Sequence, residues 1–322
     1  MQLNKKGYKM NKEKKTFYIR KEDCKNLGWA YEIEGKIYDG NLIIDVDKII
    51  VVKGYQVVKG DQRVKGEQLV KGEQFVQGDQ FVEGDQRVEG SQVVEGEQVV
   101  EGDQRVEGSQ VVEGTQVVRG NQVVQGDQVV EGNQRVQGDQ LVEGYQRVQG
   151  DQLVEGYQLV EGNQRVKGEQ ECKGYQLVKG NQRVKGDQLV KSNQVVESNQ
   201  RVKGNQVVEC DQRVEGNQRV KGNQLVEGNQ LVKGKQEVKC DQRVQGNQRV
   251  KGKTILGMCK WRVTYYKTKI TIGCETKTTQ NWIEWFKSDA EYETSRDSLA
   301  FNQIYKTFLM AKVAQENDEG LK

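Results

Sequence analysis

Arg63-Val64-Lys65-Gly66-Glu67-Gln68, followed at once by Leu69-Val70-Lys71-Gly72-Glu73-Gln74, is the stretch that decides the fold. The six-residue unit reads variable, Val, charged, Gly, polar, Gln, and runs without a gap from Val51 to Thr254, 34 times. Position two is Val except at Cys172, and position six is Gln except at Thr254. Position four is Gly except at Ser192, Ser198, Cys210 and Cys240. Along an extended chain, positions two, four and six point to one side and positions one, three and five to the other. The second side holds 12 Arg and two Glu at position one, and Lys, Glu, Gln or Arg at position three, so it must face water. An unbroken period of two over this length is a strand signal. Strands this short cannot bury one face alone, so successive repeats must stack on one another. Gly followed by Asp or Asn reads as turn chemistry, because these residues tolerate positive φ and Gly has no Cβ to collide at a tight corner. Each unit is therefore expected to be a short Gln-x-Val-x strand followed by a Gly-centred corner.

The expected fold is mainly β: a single-stranded β-solenoid of six-residue repeats, three-sided, with an N-terminal β cap and a small C-terminal α+β module. A six-residue unit resembles the hexapeptide repeats of left-handed β-helices, and the resemblance implies three units, or 18 residues, per coil. Arg147, Arg165, Arg183, Arg201 and Arg219 recur at that interval, which would align them on one face, and Tyr157 and Tyr175 share it. A flatter two-sided coil is the alternative. Recent duplication is a competing source of the period, since residues 135–146 and 147–158 are identical. At about 4.8 Å per coil, about eleven coils would span on the order of 50 Å.

The repeating amide is where this chain departs from that resemblance, whose second inward position is small or aliphatic. A buried amide costs roughly 1–3 kcal/mol if unpaired. Stacked one strand spacing apart, however, glutamines can bond one another along the axis; bonding to corner backbone is the alternative. The interior is thus assigned to Val58, Val64, Val130 and Val184 with Gln62, Gln68, Gln128 and Gln182. Each fully buried Val supplies roughly 1.5–3 kcal/mol.

Residues 1–15 form a basic tail with six Lys, expected to be solvated and lacking the apolar run of a secretory signal or membrane span. Residues 16–50 read as the β cap, with Trp29, Tyr31, Ile33 and Ile37 bulky enough to cover an open solenoid end. Residues 51–254 are the array. Residues 255–322 read as a hairpin turning near Tyr266 and Lys267, then two helices. The first is capped by Thr278 or Thr279 and carries Trp282, Trp285 and Phe286. The second is capped by Thr294 or Ser295 and carries Phe301, Ile304, Tyr305 and Phe308. A Cys259–Cys274 disulfide across the hairpin is conceivable, and Cys172 reads as a buried thiol. Reduced cysteines suit a cytoplasmic setting, or a virion for a phage protein.

The chain has no His, and its net charge is only +3, so neither a common zinc set nor a global field for nucleic acid is implied. Outward charge nevertheless comes in blocks. Between Phe81 and Gln116 nine acidic residues face Arg87 and Arg105, and Lys dominates position three from Lys167 to Lys191. The bland explanation is a solvated β surface kept soluble by charge. Acyltransferases and carbonic anhydrases with hexapeptide repeats rely on His, and no phosphate loop or nucleophile elbow is present. No catalytic residue, cofactor or metal is expected.

The functional expectation is a non-enzymatic structural repeat protein, a rigid spacer or assembly scaffold. In alternating Val/Gly style the array resembles β-helical filament proteins such as bactofilins, or phage structural proteins. The alternative is recognition of a glycan or protein along the solenoid face, with Tyr145, Tyr157 and Tyr175 as candidate surface contacts, or through the C-terminal module. Protein partners or self-association are expected, a glycan is open, and nucleic acid and a membrane span are disfavoured.

Overall fold

The computed structural model describes residues 15–250, 254–256, 263–266, 268–273, 275–288, 296 and 298–319. They form two compact units, residues 1–132 and 133–322. Each is a three-sided parallel β-solenoid.

In the first unit six strands precede the array: β1 (Thr16–Ile19), β2 (Lys25–Asn26), β3 (Ala30–Glu34), β4 (Ile37–Tyr38), β5 (Asn41–Ile44) and β6 (Ile49–Lys53). Thirteen Gln-x-Val strands follow, from β7 (Gln56–Val58) to β19 (Gln128–Val130). Each pairs in register with the strand 18 residues away, as Gln74 does with Gln56 and Gln92. Three strands per coil therefore build three sheets. The preceding segment winds onto the same sheets: β1 pairs with β5, β3 with β6 and β4 with β7, all in parallel. Only β2, folded back on β3, is antiparallel. Ile33 is buried and Tyr31 packs on the core. Trp29 and Ile37, expected to cover an end, are instead 62% and 55% exposed.

The second unit runs from β20 (Gln134–Val136) to β40 (Thr254–Leu256) with the same register, Gln182 lying between Gln164 and Gln200. After β40 the chain reverses, and β41 (Val263–Tyr266), β42 (Lys269–Ile272) and β43 (Glu275–Thr278) extend that sheet as an antiparallel meander. The register pairs Tyr266 with Lys269, so the hairpin turns where the sequence placed it. Helix α1 (Thr279–Lys287) is capped by Thr278, whose hydroxyl accepts from the Asn281 amide. The indole Nε1 of Trp282 donates to Ile270 O at 2.7 Å. Helix α2 (Leu299–Glu319) buries Phe301, Ile304, Phe308 and Ala311 at helical spacing. The last three meet Val263, Tyr265, Ile270 and Ile272 in one cluster, and α2 also contacts the last Gln-x-Val strand, Gln248–Val250. The module is thereby docked on the final coil. Tyr305 stays 40% exposed. Ser298 Oγ accepts from the Phe301 amide. Thr294 and Ser295 lie outside the described residues, as do Cys259, Cys274 and residues 1–14.

One local expectation needs correction. Among the described residues, positive φ occurs at Gly28, Gly40, Gly54 and Gly273, so within the array only Gly54 uses the left-handed region. The other corner glycines are there because coils approach closely. A Cβ on Gly186 would lie 2.5 Å from Gly168 O and 2.7 Å from its carbonyl carbon. Ordinary φ leaves the backbone at this position open to Ser198 or Cys210, where accommodating a Cβ requires the neighbouring coil's backbone to shift.

Among the described residues no helix is long and apolar enough to cross a membrane.

Candidate functional site

The interior is built from two kinds of row. Val58, Val64, Val130 and Val184 are fully buried, and Gln62, Gln68, Gln128 and Gln182 are at most 1% exposed. The amides bond one another, not the corners. From Gln74 to Gln128 and from Gln152 to Gln248, each Nε2 donates to the Oε1 one coil earlier on its own side and, in most coils, to the amide 12 residues earlier on a neighbouring side. Gln200 donates to Gln182 at 2.9 Å and to Gln188 at 3.2 Å, and it accepts from Gln218 at 3.0 Å and Gln212 at 3.3 Å. The three Gln rows thus converge on an axial amide spine, with every donor pointing toward the N-terminal end. Such aligned chains polarise and strengthen one another.

The spine separates the Val rows. In the second unit, Val154, Cys172, Val190, Val208 and Val226 form one apolar column. Val196, Val214, Val232 and Val250 form another. Cys172 takes the place of Val within its column, and burial pushes its thiol up to about 12.

The first unit shows where the spine begins. Leu42 pairs with Gln62 and Ile50 with Gln68, so apolar residues fill the inward positions one coil earlier. Lacking amides below them, Gln62 and Gln68 donate instead to Gln56 Oε1, at 2.8 and 3.0 Å, beside the regular bond from Gln74 at 3.0 Å. Gln56 Nε2 is buried with no partner. It is the orphan donor that a directional chain must leave at its first member.

Position five forms a second ladder at each corner. Asp85 Oδ1 accepts from the Asp103 amide at 2.8 Å, and Asp103 Oδ1 accepts from the Asn121 amide at 2.7 Å. Asp and Asn are therefore chosen for coil-to-coil bonding, which parity alone left unexplained.

Outside, the sides differ. Cross-coil ion pairs stitch several columns, as in Arg87–Glu107 at 2.7 Å and Arg119–Glu101 at 2.8 Å in the first unit. Arg135–Glu155 at 2.9 Å does the same in the second. Arg135 holds the Glu155 carboxyl below the usual carboxylate range. Exposed pairs of this kind contribute about 0–1 kcal/mol each. On another side of the second unit Leu141, Leu159, Leu177 and Val195 stack.

On the side that continues into β40, Arg147, Arg165, Arg183, Arg201 and Arg219 stand next to one another in register. Lys167, Lys185, Lys203, Lys221 and Lys239 flank that row, each amide bonded to the coil before. Asn163, Asn181, Asn199 and Asn217 line its other flank, bonded corner to corner. The arginines were recognisable from sequence. The Lys and Asn columns were not, although reading positions three and five at 18-residue intervals would have found them.

The candidate tyrosines do not form one group. Tyr157 and Tyr175 precede paired strands and occupy successive coils at one corner, whereas Tyr145 precedes a strand of a different sheet. In the first unit a trough of about 480 Å³ includes Trp29, Leu69, Asp85, Arg87, Asp103 and Arg105 in its lining. Among the described residues no cluster of three or more His, Cys, Asp or Glu could hold a metal ion.

Comparison of the chain with protein-family models, with curated proteins and with solved structures finds no match in any of the three. What defines the class is accordingly the geometry itself, a parallel β-solenoid with a glutamine spine.

Proposed function

We propose that this chain is a non-enzymatic structural repeat protein, a stiff spacer or assembly scaffold of the kind used in phage or bacterial filaments. The observation that supports this reading is the spine. Within each unit every coil offers the next an equivalent set of backbone edges, Val side chains and amides, so length can grow by whole coils without redesign of the core. The outward columns vary freely while the inward pattern does not, as expected where the interior has a mechanical task. The docked C-terminal helix covers one end of the second unit, which favours a rod of defined length over an open polymer.

Electron microscopy of the purified full chain tests this. Particles of one length, with a long axis on the order of 50 Å or more, support a spacer. Filaments whose length increases with concentration support a self-assembling scaffold. Isotropic particles with no long axis contradict both.

A further inference from the structure

We propose that the Asn–Arg–Lys side of the second unit is a docking track for a linear acidic glycan carrying one carboxylate per sugar. This goes beyond the spacer reading and does not depend on it.

The three outward columns of this side hold five Arg, five Lys and Lys235, eleven cations in all, against the single carboxylate Glu237. Glu237 pairs with Arg219 at the end of the row, at 3.3 Å. Among the described residues Arg147, Arg165, Arg183 and Arg201 make no ion pair, whereas Arg135 and Arg213 on other sides of the unit do. The Nε atoms of Arg147, Arg165, Arg183 and Arg201 are buried without a hydrogen-bond partner, and that of Arg219 has only its Glu237 contact. Neighbouring cations also depress the Lys221 ammonium below its usual range, Lys203 most and Lys239 next. Folding alone opposes such a row, because like charges repel at one coil spacing and buried donors go unpaired. A ligand that brings anions along the row relieves the repulsion through the outer guanidinium nitrogens.

The spacing selects the ligand. Arginines on successive coils repeat at about 4.8 Å, whereas phosphates of one DNA strand repeat at about 3.4 Å. A pyranose with its glycosidic link advances by close to one coil, so the uronates turned toward the row as the glycan winds can each meet an arginine, while the others face solvent. Guanidinium groups bind carboxylates in a bidentate fashion. The Asn column offers amides to sugar hydroxyls, which a polyphosphate lacks. The row itself has no aromatic side chains on which bases could stack, as single-stranded nucleic acid prefers.

The test is binding of the full chain to fluorescent 1,4-linked oligogalacturonate twelve sugars long. A neutral 1,4-glucan and a single-stranded oligonucleotide of equal length serve as comparisons. The uronate is expected to bind and the neutral glucan not. The triple variant R165Q/R183Q/R201Q should weaken binding at least 100-fold, and R165K/R183K/R201K about tenfold, since Lys keeps the charge and loses the fork. Arg213→Gln, on a different side, should change binding by less than twofold. A second variant keeps the interior pattern intact: deleting residues 177–182, one full unit, moves Arg183, Arg201 and Arg219 to another side. It should melt as the parent does yet bind as weakly as the triple Gln variant. No uronate binding, unchanged binding in the triple Gln variant, or tighter binding of the oligonucleotide would each overturn the proposal, the last in favour of nucleic acid.

Discussion

Residues 30–53 and residues 56–130 wind onto the same three sheets of the first unit, yet they surround different centres. In the earlier coils Leu42, Ile44, Ile50 and Val52 are buried and join a single apolar cluster with Val58 and Val64. In the later coils glutamine occupies the positions of Leu42 and Ile50, and the centre becomes a column of amides. Both centres are dry. The difference teaches that a repeating polar core is stable only when each amide has a copy of itself one coil away. Where the repetition starts, the structure must close it off with hydrocarbon and leave one donor, Gln56 Nε2, unpaired.

Several substitutions would break or sharpen that contrast. Val184→Asp should be the most damaging, costing at least about 4 kcal/mol, because it buries an unpaired charge within a tightly stacked Val column. A loss of less than about 1 kcal/mol on urea unfolding would mean the column does not face inward. The Cys172 thiol should have a thiolate fraction roughly a thousandfold below that of an ordinary thiol at pH 8. Peptide mapping after brief alkylation is expected to find exposed Cys240 modified and Cys172 untouched; equal labelling would contradict its burial. Gln200→Leu removes the bonding partner of five neighbouring amides and should cost about 1–3 kcal/mol, read from thermal melting.

The junction itself allows a finer test. Leu42 stands where an acceptor for Gln56 Nε2 would belong, so Leu42→Gln extends the spine by one member, whereas Ile44→Gln buries an amide in the apolar cluster. Leu42→Gln should therefore be milder by about 1–3 kcal/mol; equal losses would show that the spine's direction is immaterial.

The smallest effect concerns pH. Lys53 bonding holds the Glu32 carboxyl low, and Arg135 does the same for Glu155. A carboxyl depressed by folding contributes stability above its unfolded value. That contribution is lost as pH falls through the folded value, so melting temperature should decline slightly below about pH 4.5. A rise in that range would have the sign wrong.

Much of this was legible in the chain. Parity separated Val and Gln from the charged residues, and the 18-residue recurrence of Arg147 through Arg219 pointed to three sides. Of the two reasons for glycine, tolerance of positive φ failed at the described array corners other than Gly54, whereas the missing Cβ is what the close coils require; sequence shows residue types, not distances between coils, and so could not rank the two. Trp29 and Ile37 misled for a related reason, since bulk alone does not say which side of a short strand faces inward. The Asp and Asn corner ladder was hidden because its partner is a backbone amide 18 residues away, with no complementary side chain to betray it.

The central claim is that the glutamine amides bond to one another in a dry axis, and side-chain hydrogen exchange measures this most directly. In protein labelled with ¹⁵N at glutamine Nε2, most array amide protons should persist for hours in D₂O at neutral pH. Complete exchange within seconds, as for solvated amides, would contradict the spine and the account built on it.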